Sequence, residues 1–323
     1  MSNKATYLIQ SRVSLAPMAG ITDYVLRSLV RRYSKSCLLT TEMISSEYLA
    51  QTLNGRGGIE ILKRDNNHSP ISYQISGHKP EMIHNAAKFL SDYADMIDIN
   101  MGCPVKKVVG GQDGASLMLN QDLAQDLVRA AKDGTDKPVS VKFRLGYTAE
   151  NLNYVEFGQA MQSAGADFIT IHARTRSQMY SGHADWGKIK KLKENVDIPV
   201  FANGDVDSVE KAIECFEMSK ADGIAIGRGV LGDPELIFRI ENYLRTGKIL
   251  PPPTIEEKIK ILKKHIDEEL ELRGENVGIK FMRKFYPYYL SGFENAKTLR
   301  SKLVIENDYN NIINLLNSCV YTL

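Results

Sequence analysis

Met96-Ile97-Asp98-Ile99-Asn100-Met101-Gly102-Cys103-Pro104 reads as a strand that ends in a turn. Ile97, Ile99 and Met101 share one parity and Asp98, Asn100 and Gly102 the other, as in a strand whose two faces meet different surroundings. Gly102 permits a tight turn and Pro104 stops the strand, so Cys103 sits at the rim of whatever sheet the strand joins. A lone cysteine is more often a small apolar filler than a reactive group. Only the company it keeps can decide between those readings.

Outward from this stretch, a short apolar strand alternates with a helical segment eight times between Val13 and about Arg245. The strands are expected at Val13–Met18, Leu38–Thr41, Ile71–Ile75, Met96–Met101, Val139–Arg144, Phe168–His172, Val200–Asn203 and Gly223–Gly227. Eight parallel β/α units favour a closed (β/α)8 TIM barrel within the α/β class. Helix starts are marked by Asp23, Pro80, Ser208 and Pro234. A Gly-x-Gly-x-x-Gly run is missing after the first strand, which argues against an open dinucleotide-binding sheet.

At Leu250-Pro251-Pro252-Pro253 the composition shifts, because three prolines in a row cannot continue a helix. A domain boundary is placed there, giving a barrel over residues 1–249 and a small helical bundle over 250–323. The bundle helices are expected at Ile255–Leu272, Val277–Leu290, Ala296–Val304 and Tyr309–Val320.

With 323 residues and 43% hydrophobic content, the chain can bury a large core. Its four cysteines, Cys37, Cys103, Cys215 and Cys319, show neither a CxxC pair nor metal-ligand spacing, so neither disulfides nor a metal is expected. The N-terminal MSNKATYLIQ lacks the apolar run of a signal peptide, and no segment is apolar enough to span a bilayer. A cytoplasmic monomer without membrane contact is the expectation. Net charge is only +2, so any nucleic-acid surface must be local.

In a barrel of this kind one strand parity faces the axis, and active sites lie at the C-terminal strand ends. Gln74, Asn100, Lys142, His172 and Asn203 then reach one rim from five different strands. Any one of them could simply begin a solvated loop, but five together are harder to dismiss. Lys142, inside Val-Ser-Val-Lys-Phe-Arg, must lose hydration unless an anion or polar ligand meets it, which points to a cofactor. The turns Asn203-Gly204-Asp205 and Gly227-Arg228-Gly229 follow the seventh and eighth strands, where barrels often hold phosphate.

Pro17-Met18-Ala19-Gly20, Asn100-Met101-Gly102-Cys103-Pro104, Lys142, His172-Ala173-Arg174-Thr175-Arg176, Asn203-Gly204-Asp205 and Gly227-Arg228, in this order, resemble the flavin-dependent tRNA-dihydrouridine synthases, most of all their bacterial B-type subgroup. The resemblance spans nearly the whole chain. It implies FMN held by Pro17, Met18, Ala19, Gln74, Lys142, His172, Asn203, Gly204, Asp205, Gly227 and Arg228, with NADPH or NADH as electron donor. It implies Cys103 as the proton donor to uracil C5, with hydride going to C6. Asn100 and Tyr180 would meet the target uracil in the tRNA D-loop, and Arg174 and Arg176 would also face the substrate. A flavin barrel acting on a free small molecule, or an RNA-binding protein with a vestigial flavin site, are the alternatives.

The segment Arg273–Lys302 carries seven basic residues against Glu275 and Glu294, a local +5 that leaves the rest of the chain at −3. Phe281, Phe285, Tyr286, Tyr288, Tyr289 and Phe293 are interleaved with those charges. Basic groups beside aromatics fit an RNA surface, and Arg283 and Lys284 are the expected tRNA contacts.

Overall fold

The computed structural model describes residues 6–53, 62–63 and 66–320 of the 323. Eight strands form one parallel sheet: β1 Val13–Leu15, β2 Leu39–Ser45, β3 Ile71–Ser76, β4 Met96–Met101, β5 Val139–Arg144, β6 Phe168–His172, β7 Val200–Asn203 and β8 Gly223–Ile226. From β2 to β8 each strand pairs with the next in sequence, and β8 pairs with β1. A parallel bridge between Ser14 and Leu38, with Leu15 N donating to Leu38 O at 2.9 Å, completes the ring. The expected barrel is therefore found.

Around it run α1 Tyr24–Tyr33, α2 Ser46–Leu53, α3 Pro80–Leu90, α4 Lys106–Gly110, α5 Gln121–Gly134, α6 Tyr154–Ser163, α7 Trp186–Lys193, α8 Val209–Ser219 and α9 Leu236–Thr246. Local chemistry starts several of them. Asp23 caps α1 by accepting from Leu26 N, and Ser208 caps α8 by accepting from Lys211 N. No helix among the described residues is long and apolar enough to cross a membrane.

Strand parity divides the barrel interior into layers. At the N-terminal end, Leu38, Met96, Phe168 and Phe201 pack with Leu8 and Ile9 of a short 3-10 turn and plug the barrel. Phe168 and Phe201 meet edge to face at 4.8 Å. Above the plug, Thr40, Ser72, Asp98, Ser140 and Thr170 surround a cavity of about 10 Å³. The next residues of the same parity, Gln74, Asn100, Lys142, His172 and Asn203, form the mouth.

Several boundaries differ from the sequence expectation, four of them for an identifiable reason. β1 stops at Leu15, because Pro17 opens a turn in which Ile21 N and Thr22 N both bond Met18 O at 3.0 Å. β2 continues to Ser45 past an irregularity between Thr40 and Met43, where the polar Glu42 breaks the apolar pattern. β8 stops at Ile226, since Gly227 begins a 3-10 turn. The run 277–290 is two helices, α11 Glu275–Met282 and α12 Tyr286–Tyr289, because Pro287 has no N–H with which to continue one helix.

α10 Ile255–Arg273, capped by a Thr254/Glu257 box, together with α13 Ala296–Ile305 and α14 Tyr309–Val320 completes the helical segment. Its apolar residues, from Ile259 to Leu316, belong to the same core cluster as the barrel's. The polyproline connector therefore does not separate two independent cores. Cys37, Cys103 and Cys215 are free thiols, while the Cys319 side chain and residues 1–5 of the N-terminal stretch lie outside the described residues.

Gly223 shows how tightly the plug is packed. A Cβ at this position would lie 2.3 Å from the Phe201 ring and 2.6 Å from Arg12 O. Gly223→Ala should lower the unfolding free energy by about 1–3 kcal/mol, the usual scale of overpacking, and shift the urea midpoint without changing the slope. A midpoint equal to the parent's would show that Phe201 turns aside at no cost.

Candidate active site

The C-terminal mouth opens into a cavity of about 1630 Å³. Pro17, Met18, Ala19, Gln74, Asn100, Cys103, Lys142, His172, Arg174, Tyr180, Asn203, Gly204, Asp205, Gly227 and Arg228 all line it. Barrel closure explains the gathering. Asn100 lies in register with Lys142, and His172 with Asn203, so strand pairing alone makes them neighbours.

Beneath Cys103 runs a chain of hydrogen bonds that starts at a buried carboxylate. Asp98 accepts from Ser140 Oγ and from Gln74 Nε2, each at 2.6 Å. Gln74 Oε1 then accepts from Asn100 Nδ2 at 2.8 Å, and Asn100 Oδ1 accepts from the N–H groups of Gly102 at 3.1 Å and Cys103 at 2.9 Å. A carboxylate can only accept, so Asp98 dictates which end of each amide points where. Burial raises the Asp98 pKa, opposed by the hydrogen bonds from Ser140 and Gln74.

The thiol loop is fixed from its other side as well. Ala115 N donates to Cys103 O at 3.0 Å. Gly114 has φ +61°, and a Cβ there would come within 2.8 Å of that same oxygen. A side chain at position 114 would push the Cys103 loop away.

Lys142 donates to Asn203 Oδ1 at 2.9 Å, and Asn203 Nδ2 donates to Ala225 O at 2.7 Å. The ammonium thus has one neutral acceptor for its three donors. Burial, and next the Arg144 charge, push its pKa down to about 8. His172 is held well below its usual value by burial and by Lys142, Arg144, Arg174 and Arg228, so its imidazole is neutral. Beside it, Gly204 at φ +121° leaves no room for a side chain, since a Cβ would lie 3.0 Å from the imidazole.

Arg174 does not present a free donor to the cavity, contrary to its expected substrate role. Its Nη1 and Nη2 bond the two Asp205 oxygens at 2.8 and 2.7 Å, Nη2 also reaches Gly182 O at 2.6 Å, and Nε reaches Ser181 O at 3.0 Å. The remaining N–H faces His172 Nε2 at 3.5 Å. Arg174 therefore braces the loop after β6 against the loop after β7. Burial alone would raise the Asp205 pKa, but the bonds from Arg174 and Ala184 N hold it below the usual range, so its carboxylate is engaged in the brace. Asp205 can offer a ligand its backbone but not a free side chain.

Three further candidate residues lie away from the cavity lining. Arg176 lies outside the cavity lining, with its guanidinium 5.1 Å from the Tyr147 ring centroid. Arg283 bonds Glu306 O at 3.2 Å and Asn307 Oδ1 at 2.9 Å, and Lys284 donates to Gly20 O. Each of these two cations thus has a partner within the fold while keeping further N–H groups. Of the six interleaved aromatics, Phe285, Tyr286 and Tyr289 are buried in the bundle.

Arg144 was not singled out from the sequence, yet it is central to the mouth. Its Nε bonds Gly102 O at 2.7 Å, and its Nη1 bonds Thr175 O and Met179 O at 2.9 and 2.8 Å. The half-exposed Tyr180 ring has the Arg144 and Arg228 guanidinium carbons 5.7 and 5.3 Å from its centroid. The parity that selected Lys142 also selects Arg144 two residues on, and that signal could have found it. Asp98 shares the parity of Asn100 and could have been found in the same way. No metal-ligand cluster occurs among the described residues.

The family model described as Dihydrouridine synthase (Dus) matches residues 14–320. A probable tRNA-dihydrouridine synthase of Rickettsia conorii is 39% identical over 303 residues, 93% of this chain and 90% of the relative. The probable tRNA-dihydrouridine synthase 1 of Synechocystis sp. is 39% identical over 315 residues, covering 97% and 88%. The tRNA-dihydrouridine synthase B of Pseudomonas aeruginosa is 37% identical over 297 residues, covering 92% and 89%.

The depressed Lys142 pKa has a direct consequence for stability. Between about 8 in the fold and 10.5 in the unfolded chain, the unfolded state binds more protons, so stability rises with pH through that window. Below the window the cost of burying the ammonium is fully present. Ligand-free wild type should therefore gain stability relative to Lys142→Met as pH rises from 8 towards 10.5, in paired urea titrations. A pH-independent difference between the two proteins would show that the ammonium is fully hydrated.

Proposed function

The chain belongs to the dihydrouridine synthase family, and from that premise we propose that it reduces the C5=C6 bond of uridines in tRNA, using FMN and a nicotinamide nucleotide, NADPH or NADH. The observation that carries this reading is the meeting of one held thiol, Cys103, with a half-buried lysine, a neutral histidine and two glycine turns in one cavity. Residues 1–249 would hold the chemistry and residues 250–323 the contacts to RNA. We further infer that the protein works as a monomer in the cytoplasm, where tRNA is found.

The residues suit a flavin. Among the described residues Lys142 has no carboxylate partner, so an electron-rich ring is the kind of ligand that would answer its charge. Gln74 and His172 add polar contacts without adding charge. The turns at Gly204 and Gly227–Gly229 pack so closely that a Cβ at Gly229 would lie 2.2 Å from Val206 O, which keeps backbone groups free to meet a phosphate beside Arg228. Bound flavin supplies the hydride for uracil C6.

The other half of the reaction falls to the chain itself. Hydride addition at C6 leaves negative charge on C5 and O4, and a proton must follow. Cys103 gives that proton to C5. Asn100 sets the thiol's position through the Gly102 and Cys103 N–H groups, and Arg144 holds the same turn through Gly102 O. The uracil has to leave its stack to enter, which costs a few kcal/mol and is easiest in a loop such as the D-loop. Tyr180, with the Arg144 and Arg228 guanidiniums near its ring, offers a surface at the entrance for stacking.

Cys103→Ala should keep its flavin and its nicotinamide oxidation while dihydrouridine formation falls by about 10²–10⁴, the usual weight of one general acid. Mass spectrometry of tRNA after incubation reads the product. Wild-type yields from the variant would remove the acid role.

Lys280, Lys297 and Lys302 are exposed, and none has a side-chain partner among the described residues, so these cations are free to meet phosphate alongside Arg283 and Lys284. Replacing Lys297 and Lys302 by Ala should weaken tRNA binding and reduce the slope of log affinity against log salt by about 0.7–0.9 per lost contact. Equal slopes would place the RNA elsewhere.

A further inference from the structure

One wall of the cavity, formed by Pro17, Met18, Ala19 and Ile21, is held from outside the barrel. The turn that carries these residues has its own bonds at Met18 and Thr22, but its tip at Gly20 depends on others. Glu42 accepts from Gly20 N, and Lys284 of the helical segment donates to Gly20 O. At the end of the turn, Asp23 caps α1 through one carboxylate oxygen and receives Arg273, also of the helical segment, on the other.

The two helical cations are not independent. Arg273 and Lys284 lie over the Phe281 ring, with the guanidinium carbon 3.8 Å and the ammonium 3.2 Å from the centroid. A ring's negative faces attract cations, so Phe281 fixes where each can reach. Glu269, fully buried one turn earlier on α10, accepts from Arg273 Nε at 2.7 Å and so orients the guanidinium that reaches Asp23.

We propose that Arg273, Phe281 and Lys284 form a clamp through which the helical segment positions the cavity wall at residues 17–23. The helical segment is then part of the cofactor site and not only a surface for RNA. The identity of the ligand rests on the flavin reading above; the clamp itself rests on the contacts alone. Lys284 acts here as a positioning residue, because it touches the Gly20 backbone and does not line the cavity.

The test compares wild type with Lys284→Met, Lys284→Arg and Phe281→Leu. Hydrogen exchange of the Gly20–Asp23 amides should quicken in Lys284→Met without RNA present. FMN release from the same holoenzyme, followed by the recovery of flavin fluorescence on dilution, should become about tenfold faster, the scale of one lost charge-assisted hydrogen bond. Lys284→Arg should restore both, and Phe281→Leu, which keeps apolar volume, should move both in the same direction as Lys284→Met. A lysine that serves only overall stability would lower the melting temperature without selectively opening these amides. Unchanged exchange and unchanged release in Lys284→Met, whether or not tRNA affinity falls, would overturn the clamp. If wild type holds no flavin, the cofactor reading fails, while the exchange measurement still decides the clamp.

Discussion

A strand shows only every second residue to the barrel axis, and eight strands closed into a ring cannot slip relative to one another without reversing their faces. The rest of the molecule depends on that constraint. It places Phe168, Thr170 and His172 one above another on β6, and Met96, Asp98 and Asn100 on β4, so that a plug, a polar layer and a mouth follow in order. Strand register then makes Asn100 a neighbour of Lys142, and His172 of Asn203. The polar middle layer is unusual, because barrel interiors are mostly filled by bulky branched residues. Its main charge, Asp98, is the origin of the hydrogen bonds that reach Cys103.

Above that layer the mouth is strongly cationic. Lys142, Arg144, Arg174 and Arg228 all depress the His172 pKa, while the nearest mouth carboxylate, Asp205, is engaged by Arg174. Such a field favours an electron-rich or phosphorylated ligand and keeps the imidazole neutral near pH 7. Charge also has a structural use here, since Arg144 and Arg174 bond mainly to backbone carbonyls and to Asp205, and so fix the loops that frame the cavity. In this way the same side chains set both the potential and the shape of the mouth.

The helical segment follows a similar economy. Its aromatics read as an RNA platform in one dimension, but the large rings of Phe285, Tyr286 and Tyr289 are buried in the packing of α10 to α14. Cations beside those rings also bond within the fold, as Arg283 does with Glu306 and Asn307, while Lys280, Lys297 and Lys302 lie exposed on α11 and α13. One core cluster runs through barrel and helices, so the boundary suggested at Pro251–Pro253 marks a change of composition within shared packing.

The sequence by itself determined the barrel, the order of its strands and the set of residues at the mouth. Gln74, Asn100, Cys103, Lys142, His172 and Asn203 were all legible, because alternation and turn chemistry are properties of the local chain and survive without knowing what lies opposite. Strand and helix ends were less legible at Glu42 and Pro287, where one residue overrides the pattern around it. Only the tertiary structure decided what each polar group is bonded to. Arg174 is engaged by Asp205, 31 residues away, and Gln74 by Asp98, 24 residues away. Lys284 reaches Gly20 across 264 residues. A side chain's donors are consumed by whichever acceptor the fold brings within about 3 Å, and no periodicity in the chain encodes that distance.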